Sequence, residues 1–188
     1  MRTRLVAGLA GALLAVTPAV ASAAEYVHVD PAHDVRSGRF ESDGNGRLDR
    51  RQASADIRKV HVSYTSDRLV VRIKTRAALP ARGFFVGVGV RTPAGQYDST
   101  FMKAFGGTLD ALTGEEGDDI DCAGYGTTID RAKRLTTVTI PSTCIGSPTW
   151  VKVGAGVATI KKGRMSADDG LSRRLRDDLS RSPRITRD

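Results

Sequence analysis

The alternation of apolar and small or polar positions is sharpest between Phe84 and Val90, where Phe84, Val86, Val88 and Val90 share one face and Phe85, Gly87 and Gly89 the other. A period of two marks a strand, and glycines along one face mean that another group lies close against it. The pattern returns in Val153-Gly154-Ala155-Gly156-Val157. The two segments are therefore expected as neighbours in one sheet or as facing strands, with rings such as Trp150 or Tyr97 filling the glycine troughs. Val60, Val62 and Tyr64, turned by Thr65-Ser66-Asp67 into Leu69, Val71 and Ile73, form the clearest hairpin. Ile57 falls on the wrong parity for Val60, which predicts a bulge near Arg58 or a side chain on the opposite face.

Shorter runs extend the pattern. Residues 25–30 read as a first strand halted by Pro31, and the polar stretch through Ser54 as a long loop. Thr92-Pro93-Ala94-Gly95 is a turn leading to a strand with Tyr97, Ser99 and Phe101, and further strands fall at 108–112, 125–129, 135–140 and 150–160. Beyond Lys161 only Leu171, Leu175 and Leu179 recur, at helical spacing among arginines and aspartates, which predicts a short surface helix or a disordered tail. Short strands with frequent turn signals and no core helix predict an all-β antiparallel sandwich, jelly-roll-like, of about eight strands.

The first 23 residues change the setting. Arg2 and Arg4, an apolar run from Leu5 to Val20 and the small residues Ala21-Ser22-Ala23 read as a secretory signal peptide. The expected division is a signal peptide at 1–23, a sandwich domain at 24–165 and a basic polar tail at 166–188. No later stretch approaches the ~20 apolar residues of a membrane helix, so a secreted chain without a membrane span is expected. The formal charge is +8, and without Arg2 and Arg4 the 27 basic and 21 acidic side chains leave +6. Such a chain is drawn to anionic envelope polymers. Arginines interleaved with aromatics are absent, so no nucleic-acid partner is expected, and the chain is read as a monomer. Cys122 and Cys144 are the only cysteines, and in an oxidising compartment they should form one disulfide.

Asp30-Pro31-Ala32-His33-Asp34-Val35, Ala55-Asp56-Ile57 leading into the first hairpin, and Ser142 to Gly154 with Cys144-Ile145-Gly146-Ser147-Pro148 at its centre carry a resemblance. Over most of its length after the signal the chain resembles small secreted actinobacterial proteins of unknown function, and more distantly it is similar to DOMON and family-nine carbohydrate-binding β-sandwiches. The resemblance implies a sandwich and an extracytoplasmic setting. It implies no activity, because sandwiches host many unrelated functions.

Catalysis finds no support in the pattern: no serine lies in a G-x-S-x-G elbow, and His28, His33 and His61 stand in no nucleophile motif. His28, Asp30, His33 and Asp34 have the local density of a zinc site, but Pro31 and a strand end separate them. Haem ligation would pair His61 with Met102 or Met165, yet His61 alternates with Val60 and Val62 and should face solvent. Calcium is the sharpest cofactor hypothesis. The run from Glu41 to Gln52 places Asp43, Asn45 and Asp49 at spacings resembling a degenerate EF-hand-like loop, though Gln52 removes the bidentate carboxylate. A second acidic loop offers Asp118, Asp119 and Asp121, beside Asp110, Glu115 and Glu116. Tyr97, Tyr125 and Trp150 are the candidate sugar-stacking rings. The reading is a secreted, non-catalytic binding module for a glycan or cell-envelope polymer, with no cofactor unless it is calcium. The alternatives are a protein-interaction or inhibitor protein and a weak calcium-binding extracellular protein.

Overall fold

In the computed structural model, which describes residues 24–39, 46–175 and 178–187, the alternating segments pair as two antiparallel sheets. One sheet contains β1 (Ala24–Val29), β4 (Ile57–Tyr64), β5 (Arg68–Thr75), β9 (Gly126–Asp130) and β10 (Leu135–Pro141), in the order β1-β4-β5-β10-β9. The other is built from β2 (Arg36–Arg39), β3 (Arg47–Leu48), β6 (Phe84–Arg91), β7 (Gln96–Ala104), β8 (Gly107–Thr113), β11 (Trp150–Lys161) and β12 (Arg164–Asp169), with β13 (Ile185–Thr186) pairing on β11. Its order is β3-β2-β12-β11-β6-β7-β8. The chain is thus an all-β sandwich. Thirteen strands replace the expected eight among the described residues because the polar stretch after Pro31 supplies β2 and β3, and the tail supplies β12 and β13.

The apolar faces read from the sequence meet in the core. Val60, Val62, Tyr64, Leu69, Val71 and Ile73 from one sheet are fully buried, against Phe84, Val86, Val88, Val153 and Ala155 from the other. The parity break at Ile57 is a bulge: the β4–β5 register shifts between Ile57 and Lys59, and the Ile57 side chain stays in the core. In β1 the inward positions are Tyr26 and His28, while Val27 and Val29 face out. Cys122 and Cys144 are bonded, with Cα atoms 5.9 Å apart, and tie the segment before β9 to the 3₁₀ turn Ser142–Ile145. Among the described residues no helix is long and apolar enough to cross a membrane.

The two glycine-bearing strands are direct neighbours, with Gly87 opposite Gly156 and Gly89 opposite Gly154. The expected rings do not fill the trough they form. Leu179 does: a Cβ on Gly156 would lie 2.7 Å from Leu179 Cδ2, and one on Gly154 would meet Ser180 O at 2.7 Å and Leu179 Cβ at 2.8 Å. The expected surface helix or disordered tail is therefore corrected. Leu179 and Ser180 lie on the outer face of the second sheet, and Ser182 then exchanges two bonds with β11, its amide donating to Val153 O (2.8 Å) and its Oγ accepting from Val153 N (3.0 Å). Ile185, buried, closes the strap on Val151. The helical spacing of the leucines misled because single leucine anchors on an extended segment mimic a helix face.

Deleting residues 170–188 should lower stability by at least about 3 kcal/mol, the burial value of Ile185 and part of Leu179. Gly154→Ala, which collides with backbone, should destabilise by about 1–3 kcal/mol and more than Gly156→Ala, where a leucine tip can rotate away. Urea unfolding of the three variants checks both statements, and an unchanged midpoint for the truncated chain would contradict the strap.

Candidate functional site

Two places concentrate chemistry. The first is a groove of about 960 Å³ at the end of the second sheet where two hairpin tips lie. Ala104-Phe105-Gly106-Gly107 turns β7 into β8, and Lys161-Lys162-Gly163-Arg164 turns β11 into β12. Both tips have positive φ at their two central residues, 51° and 83° in the first and 51° and 69° in the second, which is the requirement of the tightest hairpin turns. Gly83 locks the tips together, donating to Lys103 O (2.6 Å) and accepting from Ile160 N (2.7 Å). Asparagine or glycine is the usual occupant of the first position, and a bulky ring there is strained. Phe105 holds it nonetheless and is 74% exposed, its ring tilted against Phe85 at 6.3 Å.

Arg82, Lys103, Lys161 and Lys162 line this groove, all exposed and none paired with a carboxylate among the described residues. No described acidic residue, histidine or cysteine lines it. It is a cationic trough with one projecting ring. Nothing in the spacing of the sequence announced it, since its cations come from three separate segments; the one local signal was an aromatic residue before Gly-Gly in a hairpin turn.

The second place is a carboxylate cluster at the seam between the sheets. Asp30 follows β1, Asp34 precedes β2, Asp56 precedes β4, and Asp168 and Asp169 end β12. One carboxylate oxygen from each of Asp30, Asp34 and Asp168 lies within 4.8 Å of the others. Neighbouring donors serve three of the five aspartates. Asp56 accepts from Arg76 Nε (2.7 Å) and His33 N (3.0 Å), Asp168 from the amide of Ile57 at the bulge (2.8 Å), and Asp169 from the amides of Leu171 (3.1 Å) and Ser180 (2.9 Å). Neither oxygen of Asp30 nor of Asp34 has a hydrogen-bond partner. Burial first, then the surrounding carboxylates, pushes Asp30 up to about 8. Burial likewise raises Asp168 to about 7, against the Ile57 amide, and raises Asp34.

The residues singled out from the sequence fare differently. Asp43 and Asn45 lie outside the described residues. Asp49 is spent on local structure, accepting from Ser37 Oγ (3.0 Å) and Arg51 N (3.2 Å). Asp118, Asp119 and Asp121 are exposed on a loop bridged to Thr113 through Asp119, and they form no cluster of ligand-ready groups among the described residues. Tyr125 Oη donates toward Asp110 Oδ1 (2.9 Å) and Ala111 O (2.8 Å) and shares a hydrogen bond with Ser99 Oγ (2.9 Å), and burial pushes its hydroxyl up to about 12. Arg184 covers the Trp150 ring at 4.4 Å, and Tyr97 packs on the core. The three rings therefore form no open row. His28 and Asp30 do approach, at 3.8 Å, but His33 turns away to Arg50 O (2.8 Å). His61 sits beside Glu25 at 3.5 Å. No family model, curated protein or solved structure matches the chain, so nothing from comparison bears on the DOMON likeness.

The raised carboxyls carry a sign. An unfolded aspartate titrates near 3.9, whereas folded Asp30 keeps its proton to about 8 and Asp168 to about 7. Between those values the native state binds more protons, so this contribution to stability is complete below pH 4 and is lost as pH rises toward 8. The groups facing Asp30 and Asp168 are His28, Asp34, Asp56 and Asp169, with Arg58 and Arg173 acting on Asp34. In chelating buffer the melting temperature should fall from pH 5 to pH 8 by at least about 3 °C, roughly 1 kcal/mol for a chain of this size. Asp30→Asn should flatten that fall. Parallel pH profiles for the two proteins would contradict the assignment.

Proposed function

We propose that the chain is a secreted, non-catalytic binding module that holds an anionic cell-envelope polymer in the groove between the two hairpin tips. The observation that carries this reading is the composition of the groove: Arg82, Lys103, Lys161 and Lys162 line it with no described acid among them, beside the exposed ring of Phe105. Like charges gathered on an exposed surface repel one another, and a polyanion relieves that repulsion. Phe105 holds a left-handed backbone that bulky residues rarely adopt, and its exposed ring, tilted against Phe85, offers a face to a sugar or polyol unit between charged groups. Ser54 Oγ is committed to Gln52 Oε1 (3.0 Å) and no described histidine or carboxylate lines the groove, which supports binding rather than turnover. The apolar run at the N-terminus supports export, and the disulfide agrees with an oxidising compartment.

Binding to immobilised poly(glycerol phosphate) and to a neutral glucan tests this. The protein should bind the polyanion and not the glucan, with affinity falling as salt rises. Reversing Lys103, Lys161 and Lys162 to Glu should weaken binding at least about tenfold, since each exposed charge pair contributes about 0.2–1 kcal/mol. Phe105→Ala should weaken it less. Equal binding to the neutral glucan, or undiminished binding by the triple variant, would overturn the proposal.

A further inference from the structure

We propose that Asp30, Asp34 and Asp168 hold a calcium ion that cross-links the two sheets. The three come from separate segments, yet one oxygen of each falls within 4.8 Å of the others. Calcium takes oxygen ligands at about 2.3–2.6 Å, so ligands on opposite sides of one ion lie about 5 Å apart, a spacing that matches the separation of the three oxygens. Magnesium, at about 2.0–2.1 Å, spans only about 4 Å and requires a near-octahedral cage, which three carboxylates from two sheets supply less well. His28 lies 3.8 Å from Asp30, against three hard carboxylate oxygens, a donor set that disfavours zinc and its neighbours.

Asp30 points to a ligand independently of the clustering. Its side chain is enclosed, 1% exposed as a residue, and neither oxygen meets a donor. A buried carboxylate in that condition is costly and is rarely left so. The contrast within the same pocket is informative. Amides and the Arg76 guanidinium are spent on Asp56, Asp168 and Asp169, each of which fixes a loop or the strap, whereas the two aspartates left bare face the space that Asp168 also borders. Internal cations do not close the account. His28 stays 3.8 Å from Asp30, and Arg58, whose own buried Nε has no partner, makes no ion pair with Asp34.

The site is distinct from the Glu41 to Gln52 loop and the Asp118 loop, and it does not rest on the polymer-binding reading. The full chain, stripped with chelator at pH 7.5, is titrated with calcium chloride or magnesium chloride while melting temperature and, by native mass spectrometry, bound metal are read. One calcium per chain is expected, with a rise in melting temperature of about 3 °C or more at 5 mM calcium that magnesium does not match. Asp34→Asn, at the more accessible ligand, should lose the bound ion and the rise while keeping the wild-type circular dichroism spectrum. Asp30→Asn should do the same, and if it fails to fold, Asp34→Asn decides. Asp118→Asn with Asp119→Asn should leave both readouts unchanged. A wild-type protein that takes up no calcium at 5 mM, an Asp34→Asn variant that still binds one ion, or a loss caused by the Asp118 and Asp119 changes would each overturn the proposal.

Discussion

Five aspartates crowd the seam of an otherwise aliphatic sandwich, and the allocation of hydrogen-bond donors among them organises the parts of the fold that are not plain hairpin. Asp56 draws in Arg76, which in turn bonds the carbonyls of Arg50 and Gln52 and so shapes the loop that delivers Gln52 and Ser54 to the groove. Asp168 accepts from the Ile57 amide at the β4 bulge, tying β12 of one sheet to β4 of the other. Asp169 accepts from residues on both sides of the strap, Leu171 and Ser180, and sets where the chain leaves the sheet and where it returns. Removing Asp56 or Asp169 would release more than a single bond, because each carboxylate accepts from two donors on separate residues.

The strap depends on the second sheet having no side chains where it crosses. Gly154 and Gly156 on β11 face Gly89 and Gly87 on β6, and Leu179 occupies the floor that results. Gly170 makes the same arrangement possible on the inner side, where a Cβ would lie 2.7 Å from Val60 and about as close to Ile57. Small residues here are a condition of close approach rather than of unusual backbone angles. The sandwich therefore extends to Ile185, and its last residues belong to its hydrogen-bonded framework.

The hairpins were legible because their information is local: Val60 to Ile73 and Phe84 to Phe101 alternate at a period of two and are joined by recognisable turns. The bulge at Ile57 was legible for the same reason. β2 and β3 were not, since Arg-Ser-Gly-Arg and Arg-Leu lack an apolar face and owe their pairing to the edge presented by β12. The acidic site was half visible. Asp30 and Asp34 drew notice as neighbours in sequence, but their third partner is Asp168, more than a hundred residues away, and long-range juxtaposition leaves no spacing to read. The rings Tyr97, Tyr125 and Trp150 were visible as residue types, whereas the contacts with Asp110 and Arg184 that occupy two of them arise only on folding.

If the seam is completed by an ion, calcium is part of the framework that presents the groove, linked to it through Asp56, Arg76 and Gln52. If it is completed by protons, the same framework loosens as pH rises. A crystal structure grown at neutral pH with calcium, at a resolution that separates water from metal by density and ligand distance, distinguishes the two directly. The account predicts one peak about 2.3–2.6 Å from oxygens of Asp30, Asp34 and Asp168. An ion-free pocket in which Asp30 hydrogen-bonds to a neighbouring carboxylate or to water would contradict it.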